Sequence, residues 1–166
     1  LLTKRGNKYW DPKSLVNLRI GALAKTTNEQ VIRTIQPKAE IVLLKDRAEG
    51  FAALRSGKID AFASDGILLE SWLQNAPDRQ NWQIVGDYSF EGIACMVPEN
   101  NSQFLNTVNY TLTKFMQGVL DEQPEDVAIF EQWFGPQGAL PLTQDLKNIM
   151  IDNMQLLIDF KERIAN

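Results

Sequence analysis

Three short polar segments contain the residues of this sequence that could bind a small molecule. They are residues 25–27 (Lys-Thr-Thr), 45–47 (Lys-Asp-Arg) and 64–66 (Ser-Asp-Gly), and each follows a predicted strand. Each segment also begins a predicted helix, whose N-terminus offers free N–H groups and a partial positive charge that suit a carboxylate. Because ligands of open α/β sheets bind beyond the carboxyl ends of the strands, we expect the three segments to form one site.

The elements that would position these segments alternate between strand and helix. Short apolar runs predict strands over residues 18–23, 40–44, 59–63 and 82–85. Thr26, Asp46 and Asp65 have side chains that cap helix N-termini, and Thr26 with Glu29 forms the S/T-x-x-E pattern of a capping box. Strands separated by helices of this length indicate βαβ units. The predicted fold class is therefore α/β, with a mostly parallel sheet flanked by helices.

The composition removes several classes of function. The 166 residues include no histidine, the commonest general base and metal ligand. The single cysteine, Cys95, has apolar neighbours, so we expect a buried thiol rather than a nucleophile. The net charge of −4 argues against a nucleic-acid partner, because phosphate binding needs a concentrated basic surface. We therefore expect no enzymatic chemistry, no catalytic residue, no metal site and no cofactor.

The pattern becomes helical in the second half of the chain. A further strand is predicted over residues 92–97, followed by helices over 101–117, 125–133 and 142–164. Phe104, Val108, Leu112 and Phe115 lie along one face of the first of these helices. No apolar run approaches the roughly 20 residues of a membrane span. The chain begins without methionine and without the order of a signal peptide, so we expect it to be a segment of a longer protein.

Several longer stretches point to a known family. They are LLTKRGN, TTNE, LKDRAEGFAALRSGKIDAFASDGILL, NWQIVGDYSFEGIACMVPEN and WFGPQGALPL, and they cover most of the chain. In these stretches and in their order the chain resembles the family 3 extracellular solute-binding proteins, which deliver polar amino acids to ABC transporters. Within that family it looks most like the glutamate/aspartate-binding type.

The resemblance implies a type II periplasmic-binding-protein fold with two hinged lobes. Residues 1–91 would be the second lobe, which carries half of the ligand cleft. Residues 92–166 would be the return hinge strand and a helical tail belonging to the first lobe, and residues 1–3 would lie at the first hinge crossing. The first part of lobe one, with the family's arginine for the ligand's α-carboxylate, is absent from this sequence.

The resemblance also implies roles for single residues. Asp65 matches the acidic residue that binds the ligand's α-ammonium group, with a helix cap as the alternative role. Thr26 and Thr27 match paired hydroxyls that hold a ligand carboxylate, with the capping box as the alternative. Arg47 lies where a guanidinium could bind a side-chain carboxylate, or it is a solvated arginine. Lys25 replaces the family's usual glycine, which puts the turn geometry in doubt and could instead add a positive charge at the cleft mouth.

The function implied is capture of a polar, acidic L-amino acid by hinge closure, with delivery to an ABC transporter permease from the periplasm or cell surface. One alternative is the ligand-sensing domain of a membrane receptor or kinase. Another is a dehydratase on the same fold, for which Asp65 and Glu91 would be the acid–base candidates. By itself the segment is expected to bind amino acids weakly or not at all. Its apolar helix faces are expected to be covered by a second copy in a homodimer.

Overall fold

We describe the fold from a computed structural model that covers residues 1–89 and 94–165, the last five of these by their backbone alone. The chain divides into two compact units, Leu1–Glu91 and Gly92–Asn166. No helix among the described residues has the length and apolar character needed to cross a membrane.

The first unit is built on a five-stranded sheet. Its strands are β1 (Leu2–Lys4), β2 (Arg19–Leu23), β3 (Glu40–Leu44), β4 (Ala61–Phe62) and β5 (Trp82–Ile84). The spatial order is β3-β2-β4-β1-β5, with β2 parallel to both β3 and β4, and β1 antiparallel to β4 and β5. Four strands therefore run in one direction and β1 runs against them. This confirms the predicted α/β class with a mostly parallel sheet.

Three helices follow the parallel strands. They are α1 (Thr27–Ile35), α2 (Arg47–Ser56) and α3 (Gly66–Asn75), and short 3-10 turns lie at Pro12–Leu15 and Arg79–Asn81. Helix α2 ends at Gly57, whose φ of 73° is the left-handed conformation typical of a helix C-terminus. The strand predicted over residues 59–63 is only two residues long in the structure, and Asp60 just before it binds Arg19 of β2 through both its backbone and its side chain.

The sheet is covered on both faces. One apolar layer packs Ile32 of α1 against Ile20 and Ala61. The other packs Leu54 of α2 and Leu69 of α3 against a separate set of buried side chains that includes Leu2, Ile59, Phe62 and Trp82. The sheet therefore lies between helices on both faces, and the carboxyl ends of its parallel strands lead into the polar segments.

The second unit is helical. It contains α4 (Ser102–Leu120), α5 (Pro124–Phe134) and α6 (Gln144–Ala165), and α4 contacts both of the others. Buried side chains include Val119, Phe130, Leu142 and Ile158. Lys147 of α6 is only 9% exposed and donates hydrogen bonds of 2.8 and 3.0 Å to the two carboxylate oxygens of Glu131.

Two predictions for the start of this unit are wrong. Residues 94–97 form no strand, and Cys95 is exposed rather than buried. Apolar neighbours in sequence bury a thiol only if another layer covers them, and Met96 beside it is 99% exposed. The remaining predicted strand residues, Gly92 and Ile93, lie outside the described residues, as does Glu91.

Candidate functional site

The three polar segments converge at one end of the sheet in the first unit. Leu23 and Leu44 are register partners in β2 and β3, and Ala63 after β4 donates its backbone N–H to Gly21 of β2. Beyond these ends lies a cleft of about 280 Å³. Its lining residues are Leu23, Thr26, Thr27, Asn28, Arg47, Ala63, Ser64 and Asp65. The structure therefore brings together four of the five residues predicted from the sequence, and Lys25 does not line the cleft.

The turn before α1 contains one half of the predicted capping box, since Thr26 caps Glu29 but the Glu29 carboxylate bonds to the N–H of Lys25 rather than to that of Thr26. The Thr26 hydroxyl accepts a hydrogen bond from the N–H of Glu29 at 3.3 Å and donates its own proton to the carbonyl of Leu23 at 2.7 Å. Because a hydroxyl has one proton, Thr26 has none left to donate to a ligand in this arrangement. Thr27, the first residue of α1, lines the cleft beside it.

Lys25 stands in the turn with a φ of 62°, the left-handed conformation. Glycine adopts this conformation without strain, whereas a residue with a Cβ does so at some cost. The backbone N–H of Lys25 donates a 2.8 Å hydrogen bond to the Glu29 carboxylate, which helps hold the turn. That bond and the Arg33 guanidinium keep the pKa of Glu29 below its ordinary value. The turn therefore has the backbone conformation typical of glycine, even though Lys25 stands where the family usually has that residue.

The turn before α2 repeats this construction. Asp46 accepts a hydrogen bond from the N–H of Glu49 at 2.8 Å, and Glu49 accepts one from the N–H of Lys45 at 2.9 Å. Asp46 is therefore the cap that the sequence predicted. Arg47 follows as the first residue of α2, with an exposed side chain. Its guanidinium has no ion pair or hydrogen bond to any residue that the structure describes.

The turn before α3 is built differently, and the predicted capping role of Asp65 is wrong. Asp65 occupies the N-cap position, but its side chain makes no hydrogen bond to its own helix. Its Oδ1 instead accepts a 2.9 Å hydrogen bond from the Nδ2 of Asn28 on α1. Asn28 was not identified from the sequence as a site residue. The sequence feature that could have identified Asn28 is its position in the first turn of the predicted helix, directly after Thr26 and Thr27.

The cleft combines charges of both signs. Arg47 supplies a cation and Asp65 a carboxylate, and the N-termini of α1, α2 and α3 add partial positive charge. No group of three or more histidine, cysteine, aspartate or glutamate residues that could hold a metal occurs in the described part of the chain. This arrangement can bind a molecule that carries an ammonium group together with carboxylates.

The site is supported from the opposite end of the sheet by an ion pair. Arg19 of β2 donates hydrogen bonds to both carboxylate oxygens of Asp60, at 2.7 and 3.1 Å. These bonds hold the pKa of Asp60 below its ordinary value. The pair joins β2 to the residue preceding β4, and so fixes two of the strands whose far ends carry the cleft.

Comparison with known proteins identifies relatives. No protein-family model matches the chain. The glutamate/aspartate import solute-binding protein of Escherichia coli is 28% identical over 139 residues, which are 81% of this chain and 44% of that protein. The ABC transporter glutamine-binding protein GlnH of Bacillus subtilis is 31% identical over 139 residues, 80% of this chain and 46% of that protein. The chain thus spans about half the length of the curated relatives it matches.

A solved structure shows the same fold. An ancestral arginine-binding protein bound to glutamine matches 81% of this chain and 58% of its own, with a TM-score of 0.65 and 24% identity. Both curated relatives are binding proteins by name. The chain therefore has a periplasmic-binding-protein-like fold, and its relatives are solute-binding proteins for amino acids.

Proposed function

We propose that this chain supplies one half of the ligand cleft of an extracytoplasmic amino-acid-binding protein. The observation that carries the proposal is the meeting of Thr27, Arg47 and Asp65 in one cleft at the ends of three neighbouring strands. An amino acid has an ammonium group and a carboxylate, and this cleft offers a partner for each. The other half of the cleft would come from a first lobe, with residues 1–91 acting as the second lobe.

The proposed ligand is acidic, with glutamate or aspartate as the expected amino acids. Asp65 would accept hydrogen bonds from the α-ammonium group, and Thr27 with the first-turn N–H groups would hold a carboxylate. Arg47 would bind the side-chain carboxylate. Support for this last role comes from the exposure of Arg47 and from its lack of a partner among the described residues. A guanidinium with its donors free is suited to bidentate binding of a carboxylate.

Two of the predicted ligand contacts have a weaker basis. In this proposal Thr26 mainly holds the turn, a role supported by the hydrogen bonds of its hydroxyl to Leu23 and Glu29. Lys25 would contribute only a charge near the cleft, since it does not line it. The ligand would be released to an ABC transporter permease after the two lobes open, which is a transport role without chemistry.

Calorimetry on the protein expressed from its complete gene tests the proposal. We expect binding of glutamate or aspartate in the micromolar range, with a weaker response to glutamine and arginine. A preference for glutamine would replace the acidic ligand with the one named for the Bacillus subtilis relative. Absence of binding to any of these amino acids would contradict the proposal. Residues 1–166 by themselves are expected to bind all of them weakly or not at all.

A further inference from the structure

The side chain of Asp65 is held by another helix rather than by its own. Two of the three helices at the cleft are capped by their own N-cap side chain, Thr26 for α1 and Asp46 for α2. Asp65 has the same position before α3 and an equally suitable carboxylate, yet its Oδ1 accepts a hydrogen bond from Asn28, 37 residues away. Because a carboxylate has no proton to donate, the atom of Asn28 that faces it is the amide nitrogen.

This contact decides which way the carboxylate points. An aspartate at an N-cap ordinarily turns back to accept a hydrogen bond from the second or third N–H of its helix. If Asp65 did so, that hydrogen bond would compete with a ligand's ammonium group for the same oxygens. The bond from Asn28 turns one oxygen towards α1, across the cleft that both residues line. The other oxygen, Oδ2, accepts no hydrogen bond from the residues that the structure describes.

We propose that Asn28 is a positioning residue, which orients the Asp65 carboxylate for a ligand's ammonium group. This inference rests on the proposed amino-acid-binding function and adds to it a residue that acts through Asp65 rather than on the ligand directly. It also gives the cleft a link between the first turns of α1 and α3 that does not depend on the ligand.

A double-mutant cycle on the protein from its complete gene tests the inference. The variants are Asn28→Ala, Asp65→Ala and the double substitution, and glutamate affinity is measured by calorimetry. We expect Asn28→Ala to weaken glutamate binding about tenfold, the loss of one charge-assisted hydrogen bond. Adding Asn28→Ala to Asp65→Ala should weaken it by less than about twofold, because the two residues act as one unit. Independent, additive losses would overturn the proposal.

Glutarate provides a readout that a general structural role would not produce, since it has both carboxylates of glutamate and lacks the ammonium group. We expect Asn28→Ala to leave glutarate affinity unchanged within about twofold while glutamate affinity falls. Equal losses for both ligands would contradict a role through Asp65. The matched control is Gln30→Ala, which removes an exposed amide from the same helix outside the cleft lining and should change neither affinity.

Hydrogen exchange separates failure of this inference from failure of the proposed function. Without Asn28, the Asp65 carboxylate is expected to turn back and cap α3 through the N–H of Ile67, since the N–H of Leu68 already donates a 3.0 Å hydrogen bond to the Asp65 carbonyl. Exchange of the Ile67 amide should therefore be several-fold slower in Asn28→Ala than in the parent, with no ligand present. Unchanged exchange at Ile67 would show that Asn28 does not set the orientation of Asp65. That result stands even if the parent binds no amino acid.

Discussion

Leu23 and Leu44 are register partners in the parallel strands β2 and β3, and the turns that follow them are built in the same way. In each turn a lysine N–H, from Lys25 or Lys45, bonds to a glutamate four residues later. The third turn, at the end of β4, departs from this plan at Asp65. The departure occurs at the residue that the proposed function assigns to the ligand's ammonium group.

Arg47 is expected to select an acidic ligand. In the protein from its complete gene, Arg47→Ala should weaken glutamate binding by about 1.5–3 kcal/mol, since a charge-assisted contact to the side-chain carboxylate is lost. Glutamine, with a neutral side chain, should lose much less. Thermal shift and calorimetry with both ligands provide the measurement. Arg79→Ala, at an exposed arginine outside the cleft lining, is the control. Equal losses for glutamate and glutamine would show that Arg47 does not contact the ligand side chain.

Thr26 is expected to stabilise the fold more than it contributes to binding. Thr26→Ala removes the acceptor for the Glu29 N–H and should lower the free energy of unfolding by about 1 kcal/mol. Thr26→Ser keeps the hydroxyl and should be nearly as stable as the parent. Urea denaturation monitored by circular dichroism compares the three proteins. If the serine variant were as unstable as the alanine variant, the methyl group rather than the cap would be responsible.

Gly50 is expected to resist enlargement. A Cβ at this position would lie 2.6 Å from ring carbons of Phe62, whose side chain is fully buried. Overpacking costs about 1–3 kcal/mol, while alanine gains about 1 kcal/mol of helix propensity over glycine, so Gly50→Ala should destabilise the fold by up to roughly 2 kcal/mol. Gly66→Ala is the matched control, because nothing lies within 4 Å of its Cβ position. A higher denaturant midpoint for Gly50→Ala than for the parent would contradict the close packing of Gly50 against the Phe62 ring.

The Arg19–Asp60 pair is expected to make stability depend on acid pH. Arg19 lowers the folded-state pKa of Asp60 below its ordinary value of 3.8, so the pair's contribution is fully present above that value. It is lost as the pH falls through the folded-state pKa. Asp60→Asn should therefore be less stable than the parent near neutral pH, and the difference should narrow as the pH is lowered.

Denaturant unfolding at several pH values between about 6 and 3 measures this difference. Asp152→Asn, at an exposed aspartate of α6 without a resolved hydrogen bond or ion pair among the described residues, is the control and should show little difference at any pH. If the free energies of unfolding of Asp60→Asn and the parent differed by the same amount at every pH, the ion pair would not be the cause of the pH dependence.

Sequence patterns predicted most of the first unit because its signals are local. Apolar runs predicted the strands β2, β3, β4 and β5, and cap residues such as Thr26 and Asp46 predicted the helix starts. The three-residue strand β1 was not predicted from its own composition, because it is defined by pairing with distant strands, where Leu2 lies between Phe62 and Ile84.

The site was predicted less completely for the same reason. The positions of Arg47 and Asp65 at strand ends follow from the chain's local order, and the structure places both in the cleft. The bond between Asn28 and Asp65 could not be predicted, because it joins residues 37 apart that meet only when β2 and β4 pair. The exposure of Cys95 was missed because burial depends on a covering layer and not on apolar neighbours in sequence.

A crystal structure of the protein from its complete gene with glutamate bound tests the central claim most directly. The account predicts the ligand's ammonium group within hydrogen-bond distance of the Asp65 carboxylate, and its side-chain carboxylate against the Arg47 guanidinium. Glutamate bound elsewhere, or bound in this cleft with neither contact, would contradict it.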